Sequence, residues 1–252
     1  MFMSRIRTLP RSFRCPIRRY WSFDHPASNK IIKEGSLESL ILSKALKHIP
    51  TFGFTSKCVL NASRELNYSD SVLSVFSSSP SGKSIEFQLV LYWLKSQRQK
   101  LRDSIMDRNS DFHAIKEEAD KAEFLIDQRL EYNESVKEHL TAAMAQLVTP
   151  YNWDLALEEL RDLGDDIAYY SGDLSNDFAW YTKRAGYSSI YVSSELYMLQ
   201  DTSKNLSDTR EFVHNKVQGF HELGNAYNDA EEWGIFTSIS LLNLIKSQLS
   251  RG

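Results

Sequence analysis

Three short stretches of this chain hold residue types whose spacing could do chemistry. Glu211-x-x-His214 places a carboxylate and an imidazole on one helix face, which is half of a carboxylate-bridged di-iron site. Such a site needs a second Glu-x-x-His and two more helical glutamates, and no other histidine here has Glu three residues before it. The pair therefore reads as a surface contact, and no metal is expected. Gly82-Lys83-Ser84 ends like a phosphate-cradling loop, but serine stands at position 77, where the first glycine of that motif belongs, and no strand precedes it. The Ser77 to Ser84 run reads as a flexible loop. The third stretch is the densest in acids and aromatics: Gly164-Asp165-Asp166-Ile167-Ala168-Tyr169-Tyr170-Ser171-Gly172-Asp173, followed by Asp177-Phe178-Ala179-Trp180-Tyr181-Thr182-Lys183-Arg184-Ala185. With no Gly-x-Ser-x-Gly, Cys-x-x-Cys or dinucleotide fingerprint in the chain, neither a catalytic constellation nor a cofactor is expected.

The elements that must position these residues are helices, because apolar residues recur at helical spacing almost everywhere and no run alternates as a strand would. An all-α protein is expected. Leu37, Leu40, Ile41, Ala45 and Ile49 give one face of a first helix that stops at Pro50. Thr55 can cap a second helix carrying Val59, Ala62 and Leu66, and Ser69 a short third carrying Leu73 and Phe76. Phe87, Val90, Leu94, Leu101 and Ile105 mark a long helix, and a second periodic stretch from Phe112 to Leu147 contains a break near Glu131 to Glu134, with Pro150 ending it. Trp153 to Tyr170 is amphipathic and ends at Gly172. The stretch from Ser175 to Gln200 is apolar on nearly all sides, so it is expected in the middle of the protein. Trp180 and Tyr181 are adjacent, point about 100° apart on a helix and cannot share one buried stripe, so one of them should approach the surface.

Charge divides the chain further. Residues 1–23 carry Arg5, Arg7, Arg11, Arg14, Arg18 and Arg19 as their only charges, as a mitochondrial transit peptide would, and a polar linker over 24–35 follows. Removing those six from the 30 basic residues leaves 24 against 33 acids, a formal charge of −9, which disfavours polyanionic partners. Cys15 lies in that leader and Cys58 is the other cysteine, so no intrachain disulfide is expected after import. No window reaches the roughly 18 apolar residues of a membrane span.

The segment over 230–252 is unlike the others. Ile235, Ile239, Leu242, Ile245 and Leu249 repeat at helical spacing, and Trp233, Phe236, Leu241 and Leu244 widen the apolar surface past one stripe. Such a helix must bury against its own domain, a second subunit or a membrane surface. Only Lys246 and Arg251 could meet anionic headgroups, so membrane binding would be hydrophobic.

Over 36–80 the pattern Ala45, Gly53-Phe54-Thr55, Val59, Ala62, Tyr68-Ser69, Leu73 and Phe76 resembles the helix-turn-helix of TetR-type repressors. No Lys or Arg occurs between Arg64 and Lys83, where the groove-reading helix would lie, so no nucleic acid partner is expected. A TetR-type regulator is kept as the alternative. The acidic-aromatic block, with Tyr191-Val192-Ser193-Ser194-Glu195-Leu196-Tyr197-Met198-Leu199-Gln200-Asp201, resembles the coenzyme Q biosynthesis protein nine family, and the similarity runs from about Ser36 to the C-terminus. The resemblance implies a TetR-like all-helical homodimer without a catalytic site. It implies an isoprenoid quinone lipid held in a helical domain over 84–225, and delivery of that lipid to the demethoxyubiquinone hydroxylase of the coenzyme Q enzyme complex. Residue by residue, it implies that Asp166, Asp177, Trp180 and Tyr181 form the hydroxylase-docking patch. Trp233, Ile235, Phe236, Ile239, Leu242, Ile245 and Leu249 would lie on the matrix face of the inner membrane and gate lipid entry. The chain departs from the family pattern at Phe54, where Trp is usual, at Asn67, where Gly is usual, and at the polar Gly186-Tyr187-Ser188-Ser189.

Overall fold

A computed structural model describes residues 35–78, 82–107, 109–173 and 178–224, and among them every regular element is helical. The 1–23 leader, most of the 24–35 linker and the 230–252 segment lie outside the described residues. The elements are α1 (Leu37–Ala45), α2 (Ile49–Phe52), α3 (Ser56–Glu65), α4 (Leu73–Ser77), α5 (Ile85–Met106), α6 (Glu118–Glu131), α7 (Lys137–Leu147), α8 (Trp153–Ser171), α9 (Phe178–Gln200) and α10 (207–224). No helix among the described residues is long and apolar enough to cross a membrane.

Local chemistry sets the helix ends. Ser36 and Ser84 accept from the N–H groups of Ser39 and Phe87, at 3.2 and 3.1 Å, so each satisfies a donor that the first turn of α1 or α5 leaves open. The first helix does not run to Pro50 as its periodicity suggests. It ends at Ala45, and a 3₁₀ turn over Leu46–His48 leads to α2, whose first turn contains Pro50, where the missing N–H removes no helical bond. Gly172 ends α8 with φ +97°, and Asp173 N–H reaches back to Ala168 C=O at 3.0 Å in a Schellman closure. Asn67 ends α3 the same way with φ +60°, and Tyr68 N–H bonds Ser63 C=O at 2.9 Å. Asparagine is the common substitute for glycine in that left-handed conformation, so the departure at position 67 leaves the turn intact.

Among the described residues two large cores form along these helices, with a small third cluster of Phe87, Leu91 and Leu155. The first gathers Ile41, Leu42, Ile49, Val59 and Phe76 from α1 to α4 and is completed by Leu89, Val90 and Trp93 of α5 with Leu140 and Ala143 of α7. Phe54 packs edge-on against Trp93, with centroids 5.3 Å apart. Cys58 is buried there, its thiol donates to Gly53 C=O at 3.0 Å, and burial raises its pKa. The second core joins Leu101 and Ile105 of α5 to Leu125, Ile126, Ile167, Tyr187, Met198 and Val213. A Cβ built on Gly164 would lie 2.2 Å from Ser188 Oγ and 2.7 Å from the Arg184 carbonyl oxygen, so only glycine lets α8 and α9 cross this closely. Gly186 of α9 likewise admits α10, where a Cβ would meet Phe220 at 2.3 Å.

Candidate functional site

A half-open cavity of about 490 Å³ lies among α5 to α9, within the 300–1,000 Å³ range usual for small-molecule sites. Its walls are aliphatic, built by Leu94, Met144, Leu147, Leu160, Leu163 and Val192. Val148, Trp153, Leu157 and Leu196 also line it and are more than half exposed, so they form an apolar collar at its mouth. Trp153 is held there by its indole N–H, which donates to Val148 C=O at 2.7 Å. This explains why α9 is not buried on all sides as its composition suggests. Tyr187, Tyr191 and Met198 face the core, whereas Leu196 faces the cavity mouth, so part of the apolar surplus lines a cavity rather than a dry interior.

The buried end is polar. Arg129 is 1% exposed and lies between Trp93 and Tyr191, whose ring centroids are 5.3 and 5.4 Å from its Cζ. Its Nη1 donates to Asn133 Oδ1 at 2.5 Å, and Asn133 Nδ2 in turn donates to Glu195 Oε1 at 2.8 Å. Tyr191 hydroxyl donates to the same carboxylate oxygen at 2.9 Å. Burial raises the pKa of Glu195 and of the Tyr191 hydroxyl. Beside this group, Arg98 faces Glu159 and Asp162 at 3.2 Å each and Asp166 at 3.7 Å. Burial works against the charge of Arg98, but the three carboxylates outweigh it and raise its pKa. Burial raises the pKa of Glu159 despite its arginine partner. The arrangement can grip a polar head and cover an apolar body.

The residues singled out for docking separate. Tyr181 is 68% exposed, and Trp180 is partly buried beneath the Arg184 guanidinium, whose Cζ is 3.9 Å from the indole centroid. The adjacent pair thus splits between surface and interior, as helical geometry requires. Asp166 is a correction to the expected patch: it is 7% exposed and serves the internal Arg98 cluster. Asp177 and the residues from Trp233 to Leu249 lie outside the described residues. Lys83 is also not part of a loose loop: it is 8% exposed, donates to the Tyr151 carbonyl and pairs with Asp154 at 3.2 Å. His214 contacts Glu123 of α6 at 2.9 Å, and both ends of that contact are at the surface. Among the described residues no group of three or more His, Cys, Asp or Glu could hold a metal ion. The polar end of the cavity was missed in the sequence. Its signal was the acidic row Glu159, Asp162 and Asp166, spaced by three and four on the face of α8 that also carries core leucines.

Residues 153–224, which cover α8 to α10 and much of the cavity, match the sequence model of the COQ9 family. The chain is 33% identical over 224 residues to the ubiquinone biosynthesis protein coq9, mitochondrial, of Schizosaccharomyces pombe, covering 89% of this chain and 86% of that one. It is 35% identical to the Saccharomyces cerevisiae COQ9 protein of the same description, over 84% of each chain. It is 29% identical to the Homo sapiens protein, over 80% of this chain and 63% of that one. Among solved structures, a TetR transcriptional regulator from Nitrosomonas europaea superposes with a TM-score of 0.55 at 11% identity, covering 73% of this chain and 97% of that one, a likeness of fold alone. With identity above 30% spread over nearly the whole of two relatives, this chain belongs to the COQ9 family.

Proposed function

We propose that this protein serves ubiquinone biosynthesis in the mitochondrion as a lipid-binding accessory without chemistry of its own, holding an isoprenoid quinone intermediate and presenting it to the demethoxyubiquinone hydroxylase. The observation that carries the reading is the cavity, with aliphatic walls, an exposed apolar collar and a buried polar end. Each CH₂ moved out of water is worth about 0.8 kcal/mol, so an isoprenoid chain needs a sheltered route to a water-soluble enzyme. The relatives named as mitochondrial ubiquinone biosynthesis proteins support the pathway and compartment, and the acid-free arginine-rich leader supports import. The protein would act as a homodimer on the matrix face of the inner membrane, with the Trp233 to Leu249 segment as its contact and gate. Tyr181, exposed beside Trp180, would anchor the hydroxylase.

The DNA-binding alternative is disfavoured by charge. The region between Arg64 and Lys83 has no base, and Arg64 itself is engaged by Asp70 through two hydrogen bonds of 3.0 and 2.7 Å. Mass spectrometry of lipids co-purifying with the protein from mitochondria tests the main reading. An isoprenoid quinone or its precursor should be recovered, in amounts that fall when Leu160 is enlarged to Trp to fill the cavity. Recovery of bulk phospholipid alone, unchanged by that substitution, would overturn it.

A further inference from the structure

The turn between α7 and α8, residues 148–152, forms one side of the cavity mouth. Val148, Tyr151 and Trp153 are more than half exposed, as is Leu157 one turn into α8, so packing fixes little of this stretch. Several of its bonds are local: Trp153 indole N–H to Val148 C=O, Thr149 hydroxyl to Ala145 C=O at 3.0 Å, and Asn152 Nδ2 to Gln146 C=O at 2.9 Å. They shape the turn without placing it against its neighbours. Leu155 ties it to α5 by joining the small cluster of Phe87 and Leu91, on which the cavity-lining Leu147 also packs. Lys83 ties it from the other side.

Lys83 is buried, and a buried ammonium is costly unless specific partners compensate it. Tyr151 and Asp154 supply them. Lys83 Nζ donates to the Tyr151 carbonyl, lies 3.2 Å from the Asp154 carboxylate and stands 4.1 Å from the centroid of the Tyr151 ring. The lysine is itself anchored to α5, because its carbonyl accepts from the buried Gln88 Nε2 at 2.9 Å. Gly82, with φ +63°, brings this backbone so close to the turn that a Cβ would meet the Tyr151 hydroxyl at 2.9 Å. A peg that only had to hold the turn could be apolar. An ion pair differs in that both charges regain hydration when it parts, so its open state is not penalised by exposed apolar surface. The Asp154 side chain, 70% exposed, is already in contact with water.

We infer that Lys83 is the latch of the cavity mouth, a positioning residue that holds the α7–α8 turn in place and lets go when a long apolar ligand enters or leaves. The half-open mouth is the latched state. Leu155 serves as the pivot, and Val148 and Trp153 swing with the turn while Leu196, on α9, stays. The inference rests on the reading of the cavity as a lipid site and adds the element that opens it.

The test follows decylubiquinone by stopped flow on the intact protein, because a quinone ring quenches indole fluorescence and Trp153 lines the cavity. Lys83→Met keeps an unbranched chain against Phe87 and removes the ammonium. It should raise the association and dissociation rates together by about tenfold, the worth of one hydrogen bond to a charged group, and leave the affinity nearly unchanged. Loss of a residue with only a structural role would instead lower the melting temperature and weaken binding through dissociation alone. Asp154→Asn loosens the same latch from the solvent side and should raise both rates about threefold. That variant decides the matter if Lys83→Met does not fold. Unchanged rates, or faster dissociation without faster association, overturn the inference. Failure of decylubiquinone to bind the wild type would instead bring down the lipid-site reading, and this inference with it.

Discussion

The two large cores among the described residues are built on opposite terms. Around α1 to α4 the buried side chains are apolar apart from Ser63, whereas the bundle of α5 to α9 buries Arg129, Asn133, Glu159, Asp162, Asp166, Arg184 and Glu195. Burial makes each ionised group costly unless it is paired. A core that only had to hold its shape would not need them, as the first core demonstrates. Departures from an apolar interior concentrate at functional sites, and here Arg129, Glu159 and Glu195 line the cavity. The helix-turn-helix-like unit keeps the packing of its fold, and the bundle holds the site.

The sharpest test of this contrast is Arg98→Met. It would leave Glu159, Asp162 and Asp166 without their shared counter-charge, and breaking a buried pair in this way costs about 3–5 kcal/mol. Urea unfolding at neutral pH should show that loss, and the loss should shrink on acidification as the stranded carboxylates take up protons. A pH-independent loss would mean the cluster is hydrated and the contrast false. Leu42→Ala is the counterpart in the first core, where the side chain is fully buried among apolar neighbours. It should cost about 2–5 kcal/mol at every pH.

Asp127 refines the comparison within the bundle. Burial, assisted by Glu123 and Glu131, raises its pKa to about 7 against the opposing influence of Arg210 and His214. A carboxyl with a raised folded-state pKa contributes stability that is complete below its unfolded value and is lost as pH rises through about 7. Asp127→Asn should therefore flatten the pH dependence between about 4 and 7 and add on the order of 1–3 kcal/mol above it. Unchanged slopes in paired thermal melts would exclude Asp127 as their source. The smallest effect on stability is expected at Tyr181, where replacement by Asp should stay within about 0.5 kcal/mol because the ring is exposed. Capture of the hydroxylase should nevertheless be lost. A Tyr181→Asp protein that still captures it would remove that residue from the docking surface.

Much of the fold was legible because periodicity and caps are local. The interruption near residues 131 to 134 appears where α6 ends at Glu131 and α7 begins at Lys137, and Gly172 closes α8. Pro50 misled, since proline in a first turn starts a helix as readily as it stops one. Nearly all of the site's polar end was illegible for a different reason. Arg98 and Arg129, read singly, are ordinary solvated charges on amphipathic helices, and only the crossing of α5, α6, α8 and α9 turns them inward. Asp166 was drawn to the docking patch by its neighbours in sequence, although its register on α8 places it with Glu159 and Asp162.

Helix α5 contributes Leu89, Val90 and Trp93 to one core and Leu101 and Ile105 to the other, along a rod of 22 residues, about 33 Å long. Neither half of the molecule can melt without stripping a wall from its neighbour, so the two should unfold in one cooperative transition. Cys58 then acts as a clock for that event: sealed in the half remote from the buried charges, its thiol should react with an alkylating reagent only as fast as the whole domain opens. Filling the cavity with lipid should slow that clock, although no lipid touches the cysteine.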